Sequence, residues 1–143
     1  MTSFEDLLRR DGVQVYKTRG TSMLHMLKEN RDLVTGAPLK EPPKKGNVIL
    51  FRQGPLYVLH RVIKAGDGSY TTRGDRYFFT ETPRESDVIG ILTGFKRAGK
   101  EYSVRHPGYR LYAFWWTALC PLRHFAFRIK RRLWRLGKRL RRR

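Results

Sequence analysis

Up to about residue 100 the apolar positions fall in short runs, many alternating with polar ones and punctuated by turn formers. Val13-Gln14-Val15-Tyr16 alternates as a strand would, Val48 to Phe51 reads as a short buried strand, and Leu56 to Lys64 as a longer one. Gly54-Pro55 supplies the turn between the last two, and Gly66-Asp67-Gly68 closes a hairpin into Ser69 to Arg73. Asp87 to Lys96 is a further β-rich run. Ahead of the strands, Phe4, Leu7 and Leu8 sit among charges in Met1 to Arg10, the spacing of about two turns of amphipathic helix. A second helix-compatible stretch follows Gly20-Thr21-Ser22-Met23 and extends to about Glu29. Residues 35 to 46, rich in Pro, Gly and Lys, read as a surface loop. The sum predicts a mainly β protein: a small antiparallel β domain with a short N-terminal helix.

The pattern changes after Glu101. Leu111 to Leu122 carries no charge but is too short to span a bilayer alone. From Leu122 onward, Leu122, Phe125, Ala126, Ile129, Leu133, Leu136 and Leu140 recur at steps of three and four, with arginine and lysine filling most of the rest. That is an amphipathic helix with a basic face. Three parts result: an N-terminal helix (1–12), a β domain (13–101) and a basic, aromatic-rich helical tail (102–143).

Charge follows the same division. The chain of 143 residues has a formal net charge of +19, yet all 12 acidic residues lie at or before Glu101, while the tail holds 13 of the 31 basic ones. The tail is thus the part suited to an acidic surface, and chemistry is to be sought upstream. Hydrophobic residues at 40% are enough for a packed core, which excludes a merely disordered basic chain. Cys120 is the sole cysteine, which excludes an intramolecular disulfide and a cysteine-based zinc cluster. No apolar stretch of signal-peptide length opens the sequence, and no ~20-residue apolar span precedes position 100, so no N-terminal membrane anchor is expected.

Three polar residues stand in apolar or glycine-flanked settings. Ser22 follows Gly20 between a strand and a helix-like segment. Alternation places His60 in one row with Val58 and Val62. Asp75 follows Gly74 at the end of the next strand, and a hairpin pairing the neighbourhoods of His60 and Arg73 would bring it near His60. Taken singly each has a commonplace role: a turn cap, a core histidine, a turn former. Together they supply a nucleophile, a base and an orienting carboxylate.

The ordered set Gly20-Thr21-Ser22-Met23, Gly46-Asn47-Val48-Ile49-Leu50-Phe51, Leu59-His60-Arg61-Val62, Gly74-Asp75, and Asp87-Val88-Ile89-Gly90 with Thr93-Gly94-Phe95 resembles the signal peptidase family. The resemblance covers residues 13 to about 97. It implies a serine endopeptidase that cuts a leader or signal-like segment, with Ser22 as nucleophile. It also implies the histidine-type variant, as in archaeal and endoplasmic-reticulum enzymes, with His60 as base. Either Asp75, of the Gly-Asp box, or Glu81, about six positions on, would orient the histidine. In the family the substrate adds as an extended strand beside the site, so Met23 and Leu24 are expected to line the cleft. No cofactor or metal is called for. The chain departs from the family pattern at His25 (usually proline), Arg76 (asparagine), Glu81 (aspartate) and Asn47 (aspartate).

Trp115, Trp116 and Trp134 among the arginines suit an anionic membrane interface, through residues 111–143. Such a tail would tether the chain peripherally, on the cytoplasmic face by its positive charge. Alternatively, residues 111 to 122 pack on the β domain and the arginine-rich end is solvated. Nucleic acid is the other partner such a charge attracts, although no RNP box, zinc finger or helix-turn-helix pattern accompanies it. A non-catalytic homologue acting as an adaptor is the remaining alternative.

Overall fold

Four consecutive buried residues, Val48, Ile49, Leu50 and Phe51, mark a strand covered on both faces, which a half-exposed antiparallel sheet would not contain. A computed structural model describes residues 4–17, 22–23 and 26–140. In chain order the elements are α1 (Phe4–Asp11), β1 (Gln14–Lys17), β2 (Leu33–Ala37), β3 (Val48–Gln53), β4 (Leu56–Gly66), β5 (Ser69–Arg73), β6 (Val88–Arg97), β7 (Lys100–Ser103), α2 (Pro107–Ala118) and α3 (Cys120–Leu140). The strands form one antiparallel sheet in the order β1-β2-β6-β3-β4-β5. β6 is long enough to pair with β2 on one edge and to share the other between β3 and β7. The protein is mainly β, with a short N-terminal helix and C-terminal helices, as the hydrophobic pattern predicts.

Two apolar clusters flank β3. Val48 packs with Met23, Met26, Leu27, Val34, Leu92 and Phe95, while Ile49 and Phe51 pack with Val62, Tyr70 and Val88 on the other side. Each such side chain contributes about 1.5–3 kcal/mol by leaving water. Tyr109 and Tyr112 of α2 lean on the first cluster, so the tail closes one face of the sheet.

Three elements differ from the sequence expectation. Residues 33–37, partly assigned to a loop, form β2; Gly36 sits at a register shift and packs beside the Tyr16 ring, a position a bulge tolerates. The described residues between Ser22 and Arg31 make turns rather than a helix: Met26 and Leu27 both donate to the Met23 carbonyl, and Asp32 accepts from the Lys28 amide. β7 is an added strand, turned back from β6 by Ala98 and Gly99, both at positive φ (48° and 84°), the geometry of a two-residue hairpin.

The tail becomes helical at Pro107, where the His106 ring caps the Gly108 amide at 3.1 Å. Pro121 cannot donate to α2, and the chain breaks at Leu119 and restarts as α3. Ala113, Thr117 and Cys120 are buried against the domain, so the packing expected as the alternative for residues 111–122 holds for one face of α2. Among the described residues no helix is long and apolar enough to cross a membrane.

Candidate active site

The reach of β5 along β4 shapes the site. β4 pairs with β3 from Leu56 to Arg61, and β5 covers it only from Arg61 onward. The Val58–His60 stretch therefore borders a cavity of about 610 Å³, which Tyr16 and Lys17 of β1 border from another side. Ser22, Met23, His60 and Glu81 all line it. Met23 is thus where the sequence reading put it, although buried and shared with the core; Leu24 lies outside the described residues, as do Gly20, Thr21 and His25.

Gly74 brings Ser22 and His60 together. The point where a Cβ on Gly74 would lie is 2.7 Å from the Ser22 carbonyl oxygen, 2.9 Å from Ser22 Cβ and 3.1 Å from His60 Nε2. Only a bare Cα leaves room for both residues to approach this point. The Arg76 amide donates to the Ser22 carbonyl at 2.9 Å, fixing the serine segment to the loop after β5.

On the other side of the ring, His60 Nδ1 lies 2.9 Å from Glu81 Oε2. The contact is at ion-pair distance but bent from hydrogen-bond alignment, and neither atom has another polar partner among the described residues. Glu81 is held in place by its backbone: its amide and carbonyl pair with Thr72 at 2.9 and 2.8 Å, outside β5. Burial pushes the imidazole below its ordinary pKa, and the charges of Glu81 and Asp75 push back. The net direction is down, so the ring is neutral near pH 7. Phe51 meets it edge-on at 6.0 Å.

Asp75 takes a different place. Its carboxylate receives two hydrogen bonds from Arg61, both 2.8 Å, and a third from the Tyr112 hydroxyl at 3.0 Å. Arg61, fully buried, also donates to the Gly46 carbonyl at 2.9 Å and to Tyr109 at 3.2 Å. Burial opposes its charge, but Asp75 outweighs that and holds its pKa above the usual value. Of the two carboxylates the sequence left open, then, Glu81 contacts the histidine and Asp75 ties the loop to Arg61 and α2.

Sequence reasoning missed Arg61, Tyr112 and Arg123. Arg123 donates to the Asp75 carbonyl at 3.2 Å and stacks on Trp116 at 3.6 Å. A charged residue inside the apolar run of β4 was the available signal for Arg61; nothing local marks the other two. Lys64 is exposed, beyond a register shift that follows Val62. No group of three or more His, Cys, Asp or Glu placed to hold a metal occurs among the described residues.

No family model matches the chain. No curated protein matches it either.

Proposed function

We propose that the protein is a serine-type endopeptidase in which Ser22 is the nucleophile, His60 the general base and Glu81 the residue that orients the imidazole. The observation that carries this reading is the juxtaposition of Ser22 and His60 Nε2 across Gly74, with Nδ1 engaged by a carboxylate, inside an open cavity. The order of sequence boxes that resembles the signal peptidase family supports it independently.

In the proposed reaction the neutral His60 accepts the Ser22 hydroxyl proton at Nε2 as Oγ bonds to the substrate carbonyl carbon. The imidazolium forms with its Nδ1–H facing Glu81, which stabilises the charge and keeps the tautomer that leaves Nε2 free to accept. Nε2 then returns the proton to the departing amine as the C–N bond breaks. A water molecule, activated by the same nitrogen, releases the acyl group from Ser22. The Ser22 amide would donate to the oxyanion, an interaction worth about 3 kcal/mol in comparable sites. An extended substrate would lie along the Val58–His60 stretch, in the manner of strand addition.

Incubation of the full chain with a library of extended peptides, and mass-spectrometric mapping of new termini, tests the reading. Cleavage after small side chains, absent with Ser22→Ala, is expected. Absence of Ser22-dependent products would contradict it and favour the adaptor alternative.

A further inference from the structure

α2 and α3 present a face that the β domain does not use. α2 buries Ala113 and Thr117, yet Leu111, Phe114 and Trp115 on its other side are 59%, 63% and 53% exposed. α3 touches the domain near its start, through Arg123 and His124, whose ring contacts the Phe78 carbonyl, and through Phe127, stacked on Phe78 at 4.2 Å. From Arg128 to Lys138 every side chain is exposed, including Ile129, Leu133, Trp134 and Leu136. Isolated surface hydrophobics are ordinary, but so many large apolar side chains exposed on two consecutive helices mark an interaction surface.

The charges on this surface choose the occupant. Arg128, Lys130, Arg131, Arg132, Arg135 and Lys138 accompany the apolar row with no acidic residue among them. Nothing on the helix neutralises them, and like charges one turn apart destabilise a helix in water. A second copy of a chain with net charge +19 would add repulsion. A nucleic acid would satisfy the arginines but leave the leucines and tryptophan in water. A bilayer with anionic headgroups accepts both, rings and apolar side chains at the acyl boundary and cations among the phosphates.

A second cleft, where the tail meets the β domain, extends the same chemistry. Phe114 walls this cleft, about 600 Å³, with Lys44, Lys45, Arg105 and Arg110 lining it and no acidic residue in its lining.

We infer that the outer face of α2–α3, together with the basic lip formed by Lys44, Lys45, Arg105 and Arg110, is a docking surface for an anionic phospholipid bilayer. The chain lies on the membrane by this surface without crossing it. The inference rests on exposure and charge, not on the peptidase reading.

Flotation of the full chain with phosphatidylglycerol–phosphatidylcholine vesicles, against phosphatidylcholine alone, tests it at one fixed salt concentration. The chain floats with the anionic vesicles and at least about tenfold less with the neutral ones. The double variants Ile129→Glu/Leu133→Glu and Lys44→Glu/Arg105→Glu each lower partitioning about tenfold or more, since each removes contacts or cations from the bound face. All substituted positions are exposed, and an unchanged thermal melt shows that the β domain stands. Failure of the parent chain to float, or flotation of either variant as well as the parent, overturns the inference. So does a duplex DNA bound at the same salt as tightly as the anionic vesicles, with the Ile129→Glu/Leu133→Glu chain binding it equally. An inactive Ser22→Ala chain floats like the parent, which separates this result from any failure of the peptidase reading.

Discussion

The imidazole of His60 holds Nδ1 2.9 Å from Glu81 Oε2, while its Nε2 and Ser22 Cβ lie 3.1 and 2.9 Å from the point where a Gly74 side chain would begin. One edge of the ring is thereby set against Glu81 and the other borders the Ser22 segment, two residues from distant parts of the chain. The proposed reaction requires the neutral ring, and burial lowers its pKa from the ordinary ~6.5. The acid limb of kcat/KM is therefore expected below that value, with activity lost as pH falls through it. Glu81→Gln removes a charge that favours the protonated ring. The limb should move to still lower pH while kcat falls about 100-fold, because an amide no longer fixes the tautomer. A pH–rate profile of both proteins checks the sign; a limb that moves upward contradicts the assignment.

Gly74→Ala tests the close approach. The new methyl would lie 2.7 Å from the Ser22 carbonyl oxygen and 3.1 Å from His60 Nε2, so the serine segment must retreat. Overpacking of this kind costs about 1–3 kcal/mol, which a denaturant titration reads. Cleavage should fall about 100-fold or more, since misplacement of about 1 Å is enough for that loss. Peptide turnover at the parent rate would show that the two side chains do not act together.

Asp75 and Glu81 should fail in different ways. Asp75→Asn leaves Arg61 buried opposite a neutral amide, at a cost of about 3–5 kcal/mol in stability. Glu81→Gln, at the partly exposed rim of the cavity, should cost under about 1 kcal/mol. Urea midpoints of the two variants make the comparison. Equal loss of stability would contradict the division of roles between orienting the base and holding the loop.

Asp32 is a fully buried carboxylate outside the cavity lining. It accepts from the Lys28 and Ala98 amides and from Arg31, joining the turn after Ser22 to the β6–β7 hairpin. The Arg31 hydrogen bonds lead the shift of its pKa down to about 2. A depressed carboxyl stabilises the fold above its unfolded value of ~3.9, and that stabilisation is lost as pH falls through about 2. Asp32→Ala should cost about 2–3 kcal/mol at neutral pH, the penalty of buried donors left unmatched. The deficit should shrink in melts taken below the unfolded value.

Much of this arrangement was legible in the sequence because it is local. Alternation sets His60 in a buried row, glycines bracket β5, and the apolar recurrence after Pro121 gives α3. β2 was obscured because Gly36 and Pro38 look like loop residues, whereas Gly36 is tolerated by a register shift packed on Tyr16. β7 was obscured because Ala98-Gly99 is a weak hairpin signal until Ala98 is seen at positive φ. The choice between Asp75 and Glu81 lay beyond sequence reasoning for a physical reason. It is decided by Arg61, adjacent to His60 and buried, which captures Asp75 with the help of Tyr112, 37 positions away in the chain. Such a competition depends on packing between sheet and helix, and no local pattern records it.

The most direct test is the rate of peptide-bond cleavage by the parent chain, Ser22→Ala and His60→Ala, each shown to be folded by its thermal melt. Cleavage by the parent is expected, with a fall of about 1,000-fold or more in both variants, since either loss disables the same proton-transfer pair. A folded His60→Ala chain that cleaves at the parent rate would contradict the role of His60 as general base.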